Sequence, residues 1–335
     1  MKQKDFSLPK IFEKLAPAIP AQVFIEPEWG KSGQLLFPNG RRVYFNLASI
    51  DVNPMCGAQI ATDKGYANSF MSEMGYPVIP KTKAFLEKEW AQKMDKPERD
   101  IDGAFRYAEE IGFPVVVKPN SGSKGVGVAF VYNKQEFYDA TRAIFEIDRV
   151  MLVQKPVYGR NYRVVVLGEK VVFAYELTPL HVEGDGESTV LELLQKKLNQ
   201  WKSSGWKINI KIDDPRTIAK LAHQDMTLSS VPVLGKQIGL LDCSNLSAGG
   251  QFGDVTDIHP LIQDFAVRLT KDMGLYLCGV DIIIDGDISE KPEQGNYWVV
   301  EVNASPDFGH YMQLGEKYEK KSEALYLDIL QYLNK

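Results

Sequence analysis

Cysteine and histidine are scarce, with three of the first and four of the second in 335 residues. Cys56, Cys243 and Cys278 are odd in number, far apart and without metal-type spacing, so three buried small hydrophobes are expected. His181, His223, His259 and His310 show neither HExxH nor paired spacing, and no GxSxG elbow occurs, which removes two common hydrolase signatures. No run approaches the ~18–20 apolar residues that span a bilayer. The start MKQKDFSLPKIFEKLAP has basic residues but no continuous apolar stretch after them, so no signal peptide is read there. Excess positive charge is missing too: 39 basic against 44 acidic residues gives a net charge of −5, and no footprint for nucleic acid. Repeats and low-complexity tracts are absent. A cytoplasmic protein without membrane or nucleic-acid partners is expected, of two or three domains.

The patterning that is present reads as alternating helices and strands. QLLF and RRVYF flank Asn39-Gly40 as a hairpin. In ATDKGYANSFMSEMGYPVIP a helix is capped by Thr62 or Asp63, lined by Tyr66, Phe70 and Met74, and stopped by Gly75. Lys64 falls in its first turn, where the helix dipole disfavours a cation unless an anion is close. The charged stretch 86–100 reads as a connection into a second unit. There DGAFRYAEEIG is helical, FPVVVKP and VGVAFVY are strands, and a helix near 134–146 precedes the strand RVMLVQ. Beyond Pro156 come strands YRVVVLG and KVVFAYEL, helices from Thr189 and after Pro215, and an amphipathic helix marked by Ile258, Leu261, Ile262, Phe265, Leu269 and Met273.

Two late apolar strands, LCGVDIII and NYWVVEV, are joined by a connector over 286–296 and read as an antiparallel hairpin. Pairing Asp285 with Tyr297 places Asp281 opposite Glu301. The two-residue period puts Glu301 and Asn303 on one face. Two carboxylates and an amide suit a hard cation, Mg²⁺ or Mn²⁺, and leave coordination positions for water and phosphates. The alternative is a set of edge-strand polar residues facing solvent. In VVVKPNSGSKGVGV, Lys118 closes a strand, and Gly122, Gly125 and Gly127 permit a loop whose amides cradle oxyanions; a plain glycine turn is the alternative. SNLSAGG presents amides to an anion or simply turns at Gly249-Gly250. GDGEST is read as a turn capping the next helix through Ser188 or Thr189.

Taken in order, these motifs resemble the ATP-grasp superfamily over residues 60–312, most closely the ligase domain of cyanophycin synthetases and of bifunctional glutathione-forming enzymes. The resemblance implies an α+β ATP-grasp fold: a leading domain over 1–84, a lid over 85–155 and a large domain with an antiparallel sheet over 156–335. It implies ATP and Mg²⁺ (or Mn²⁺) as cofactors, with Asp281, Glu301 and Asn303 as metal ligands. Lys118 and Lys64 are then the phosphate lysines, and Ser121, Gly122, Ser123, Gly125 and Gly127 form the phosphate loop. Gln154, Lys155, Pro156 and Val157 match the linker that reads adenine, and Asn161 stands at the ribose position. Arg163 matches an arginine at the reacting group, and Gly249 and Gly250 belong to a loop that closes on the acyl phosphate. Three departures are visible. Asn161 and Gln154 are amides where acids are common, which bears on nucleotide affinity and base choice. An arginine often found just before the NLS loop is replaced by Leu241, Asp242 and Cys243.

The activity so implied is carboxylate–amine ligation through an acyl phosphate, on amino acids or a peptide, with a homo-oligomer as one option for the assembly. Phosphoryl transfer without ligation and a non-catalytic ATP sensor are the alternative classes. The leading ~60 residues fall outside the resemblance and lack a βαβ pattern. Glu26, Glu28, Trp29 and Asp51 there are either contacts to an amine substrate or ordinary surface residues.

Overall fold

In the computed structural model, which describes residues 5–122, 125–203 and 210–335, the named strands pair antiparallel throughout. No described helix is long and apolar enough to cross a membrane. After α1 (Leu8–Leu15) the chain forms a meander of β1 (Gln22–Ile25), β2 (Ser32–Leu36), β3 (Arg42–Asn46) and β4 (Ser49–Ile50). The Asn39-Gly40 turn joins β2 to β3 as expected, Gly40 supplying φ +84°. Val43 and Phe45 point inward, whereas Arg42, Tyr44 and Asn46 are exposed.

Helices α2 (Met55–Thr62) and α3 (Lys64–Glu73) follow. Asp63 caps α3 by accepting the Tyr66 N–H at 2.8 Å. The apolar face expected for α3 is corrected: Tyr66, Phe70 and Met74 are 64, 51 and 41% exposed, and Ala67 and Met71 are buried. Asn120 explains the rotation. Its side chain accepts from Gly65 N at 2.7 Å and donates to Asp63 at 2.8 Å, pinning the start of α3. Of the cysteines, Cys278 is buried and Cys243 half-buried; Cys56, at the start of α2, is exposed, against expectation.

A second sheet has the order β5-β8-β6-β7, from β5 (Lys83–Leu86), β6 (Val115–Pro119), β7 (Ala129–Val131) and β8 (Val150–Gln154). The stretch 86–100, read as a connection, begins at the end of β5 and carries the short α4 (Lys88–Lys93). Helices α5 (Ile101–Ile111) and α6 (Lys134–Phe145) cover one face, around Phe85, Phe105, Val115, Val117, Phe137 and Val153. By alternation Val116 and Lys118 face the other way, toward a cleft.

The largest sheet has the order β13-β10-β9-β14-β15, built from β9 (Arg160–Leu167), β10 (Lys170–Thr178), β13 (Gln251–Asp254), β14 (Leu277–Ile284) and β15 (Tyr297–Asn303). A smaller unit of β11 (His181–Glu183), β12 (Gln237–Gly239), α7 (Val190–Ser203) and α8 (Pro215–Ala222) has its own core around Leu180, Leu194, Leu221 and Leu240. The GDGEST turn caps α7 as read: Thr189 and Glu192 bond reciprocally, at 2.8 and 3.3 Å.

On the large sheet, Val164, Val166, Val280 and Ile282 pack against α9 (Pro260–Asp272). The opposite face is core at one end, where Val165, Phe173 and Leu277 join Phe12 and Phe45 of the leading segment with α10 (Gly309–Met312) and α11 (Glu316–Leu333). At its other end that face carries Asn161, Arg163, Asp281 and Glu301 and opens to the cleft. The β14–β15 hairpin has Asp281 opposite Glu301 as expected, although Tyr297 pairs with Ile284 rather than Asp285. A bulge after Val299 adds one residue to β15 and reconciles the two ends of the ladder.

Candidate active site

The cleft, about 690 Å³, lies between the lid sheet and the large sheet. Ladder positions set its charged floor: Arg163 on β9 pairs with Asp281 on β14, which pairs with Glu301 on β15. Arg163 grips Asp281 with a two-pronged bond, Nε–Oδ1 and Nη2–Oδ2 both 2.6 Å. Its Nη2 lies 3.8 Å from Glu301 Oε1. Lys64, whose place at a helix start was anomalous, sits 3.6 Å from Glu301 Oε2 and donates to the Gly122 carbonyl at 2.9 Å. Lys118 faces the same carboxylate from β6, only 6% exposed.

Burial dominates the electrostatics. It pushes Lys118 down to about 8, against the pull of Glu301. It lifts Asp281 to about 6 despite Arg163, with the neighbouring Glu301 adding to the rise. For Glu301 burial acts upward as well, but Lys64, Arg163 and Lys118 together hold it below the usual carboxylate range. Three cations thus converge on two carboxylates at one end of the cleft, an arrangement suited to receiving a polyanion with a cation.

The oxygen donors fit a hard divalent ion. Asp281 and Glu301 oppose each other, and Asn303, two residues on along β15, follows on the same face. Its Oδ1 accepts the Ser305 N–H at 2.9 Å and retains a second lone pair. Among the described residues no three His, Cys, Asp or Glu side chains cluster as a metal site would, so the amide is needed to complete the set.

Gln154, Pro156, Val157 and Asn161 line the cleft with Ile79, Val116, Phe130 and Leu177, a largely apolar slot beside the charged floor. Lys155 does not line it: its ammonium reaches the carbonyls of Ile111 and Gly112 at 3.3 and 3.2 Å, and its N–H serves Pro80. Ser121, Gly122 and Gly125 line the cleft, with Ser121 anchored to Asp148 through N–H and Oγ at 2.7 and 2.8 Å. Gly127 (φ +73°) packs on Pro119, and Ser123 lies outside the described residues. Gly249 and Gly250 are not brought to the cleft. Their amides bond within their own loop, to Leu246 and Asn245 at 3.0 and 2.9 Å, while Ser244 and Asn245 reach the cleft wall. Spacing did not reveal Tyr132, Lys220 or Asp242 on that wall, nor Arg216 beside Cys243, near where an arginine was missing. Arg216 and Lys220 arrive from α8, Tyr132 from just past β7 and Asp242 from the loop after β12, and only the fold unites them.

Two family models match the chain. Residues 69–225 match the D-ala D-ala ligase C-terminus model, and residues 242–322 match the RimK-like ATP-grasp domain. The chain belongs to the ATP-grasp superfamily. Among curated ATP-grasp relatives, it is 32% identical over 287 residues to a cyanophycin synthetase from Nostoc sp., covering 84% of this chain and 30% of that one. It is 32% identical over 200 residues to the glutathione biosynthesis bifunctional protein GshAB of Clostridium perfringens, covering 57% and 25%. The chain therefore spans less than a third of the length of these relatives. A bifunctional glutathione synthetase structure from Pasteurella multocida superposes with a TM-score of 0.53 at 22% identity, covering 92% of this chain and 42% of that one, which supports the ATP-grasp fold.

Proposed function

We propose that this ATP-grasp chain is an ATP-dependent carboxylate–amine ligase that works through an acyl phosphate on amino acid or peptide substrates. The observation that carries the reading is the meeting of Lys64, Lys118 and Arg163 with Asp281 and Glu301 at one end of a cleft whose other end is an apolar slot. Relatives named for cyanophycin synthesis and glutathione biosynthesis support the same class. We take residues 1–84, 85–155 and 156–335 as leading, lid and catalytic units, with ATP held between the second and third.

The apolar slot with Gln154, Val157 and Asn161 holds the base and ribose. Lys64 and Lys118 hold the phosphate oxygens from two sides, each in a place where water competes poorly. Asp281, Glu301 and Asn303 would hold a divalent ion, which supplies charge neutralisation on the phosphates when bound. In the first step a substrate carboxylate oxygen attacks the γ-phosphorus, the β–γ bridging P–O bond breaks, and ADP leaves an acyl phosphate. An amine nitrogen then attacks the acyl carbon, the C–O bond to phosphate breaks, and inorganic phosphate departs while the amine sheds a proton. Arg163 spends Nε and one Nη2 hydrogen on Asp281, which fixes the guanidinium plane and leaves its Nη1 edge to donate to the transferring oxygens.

The test is co-substrate dependence of ADP release. ADP formation is expected to require both a carboxylate and an amine, to yield a hydroxamate when hydroxylamine replaces the amine, and to vanish in Asp281→Ala and Glu301→Ala. ADP formed with neither co-substrate, or surviving those substitutions, overturns the reading. Screening hydroxamates over amino acids and dipeptides then identifies the substrate.

A further inference from the structure

Helix α8 lies outside the phosphate machinery, yet it reaches across to the lid at both ends. In its first turn Arg216 is held by Asp214, with Nε–Oδ1 3.0 Å and Nη2–Oδ2 2.9 Å. The same carboxylate caps the helix by accepting the Arg216 backbone N–H at 2.9 Å. With the fork fixed on that side, Nη1 donates to the carbonyl of Gly125 in the glycine-rich loop at 3.1 Å. At the other end of α8, His223 Nε2 lies 3.1 Å from Glu136 Oε1 of α6, and its ring packs at a tilt against Tyr132 with centroids 3.9 Å apart. Helix and lid are thus tied at two points along α8.

Gly125 has little freedom to shift. Its φ is +65°, and a Cβ there would meet Cys243 Sγ at 3.0 Å and Asn245 Cβ at 3.2 Å. The Gly125 segment is therefore confined between Arg216 and residues 243–245, which line the cleft beside it. Three N–H groups of the guanidinium are spent on protein acceptors, so Arg216 is placed to orient rather than to bind substrate.

We propose that Arg216, clamped by Asp214, is a positioning residue that holds the Gly125 segment over the phosphate end of the cleft and so slows nucleotide escape. The inference rests on the nucleotide reading of that cleft. A lysine cannot substitute, because one ammonium cannot hold a carboxylate with two parallel bonds while aiming a third donor at a carbonyl.

The probe is a fluorescent N-methylanthraniloyl derivative of ATP, whose dissociation is followed by stopped flow, alongside steady-state ADP release. In Arg216→Ala, dissociation is expected to quicken about tenfold and the KM for ATP to rise by a similar factor, with kcat within about twofold, as for loss of one hydrogen bond from a charged donor. Arg216→Lys should not restore the wild-type rate. Asp214→Asn keeps a cap oxygen but weakens the clamp, and serves should Arg216→Ala fold poorly; a smaller change in the same direction is expected. A folded variant that releases the analogue at the unaltered rate, or one with a lowered melting temperature and no split between KM and kcat, overturns the proposal alone. Failure of the unaltered chain to bind the analogue overturns the nucleotide reading, and this inference with it.

Discussion

Lys118 illustrates how one buried side chain links pH, stability and binding. Its pKa in the fold, about 8, lies below the 10.5 of an exposed lysine. Between those values the unfolded chain binds the extra proton, so this residue makes the fold gain stability as pH rises from about 8 to 10.5. Its charge in the cleft is lost as pH rises through about 8. The kcat/KM for ATP should therefore fall above pH 8, approaching tenfold per pH unit, and Lys118→Met should abolish that limb while lowering activity throughout. A flat profile to pH 9.5 contradicts the role given to Lys118. The residues of the charged floor were legible from residue type and spacing: Asp281, Glu301 and Lys118 are ionisable groups in apolar strands, where burial without a partner is costly. Arg216 was not, because its meaning lies in a contact with Gly125 that no local pattern announces.

Elements were most legible where capping and periodicity agreed. Thr189 with Glu192 is such a case, and Thr189→Ala should cost about 1 kcal/mol. The change is expected as faster amide exchange in the first turn of α7 with ATP turnover unaltered; equal exchange would mean the cap contributes nothing. Helix α3 misled for a physical reason. Its apolar residues repeat at helical spacing, but the bonds of Asn120 to Gly65 and Asp63 set its rotation and leave Tyr66 and Phe70 in solvent. The β14–β15 hairpin was right at the site and wrong at its anchor, because a bulge is invisible to a two-residue period. For the loop at 244–250, composition left free amides and a plain turn both open; the turn forms, and it consumes the amides of Gly249 and Gly250 itself.

For the whole molecule, the leading segment that the resemblance left out is part of the main core. Phe12 is buried with its ring 5.1 Å from Phe45 and 6.0 Å from Tyr326, both edge-on. Phe12→Ala should cost about 3–5 kcal/mol. Because Val165 of that core lies on β9, the strand that bears Arg163, ATP turnover should be lost in step with the loss of structure, measured by denaturant titration followed by intrinsic fluorescence and by activity. Activity that persists after the fluorescence transition would show the leading segment to be independent. The shared core also orders events during synthesis. Phe12 and Phe45 leave the ribosome long before Tyr326 and Ile329, so the meander waits with an uncovered apolar face until α11 emerges. Nascent chains halted ahead of α11 should for that reason be prominent clients of chaperones that bind exposed hydrophobic segments.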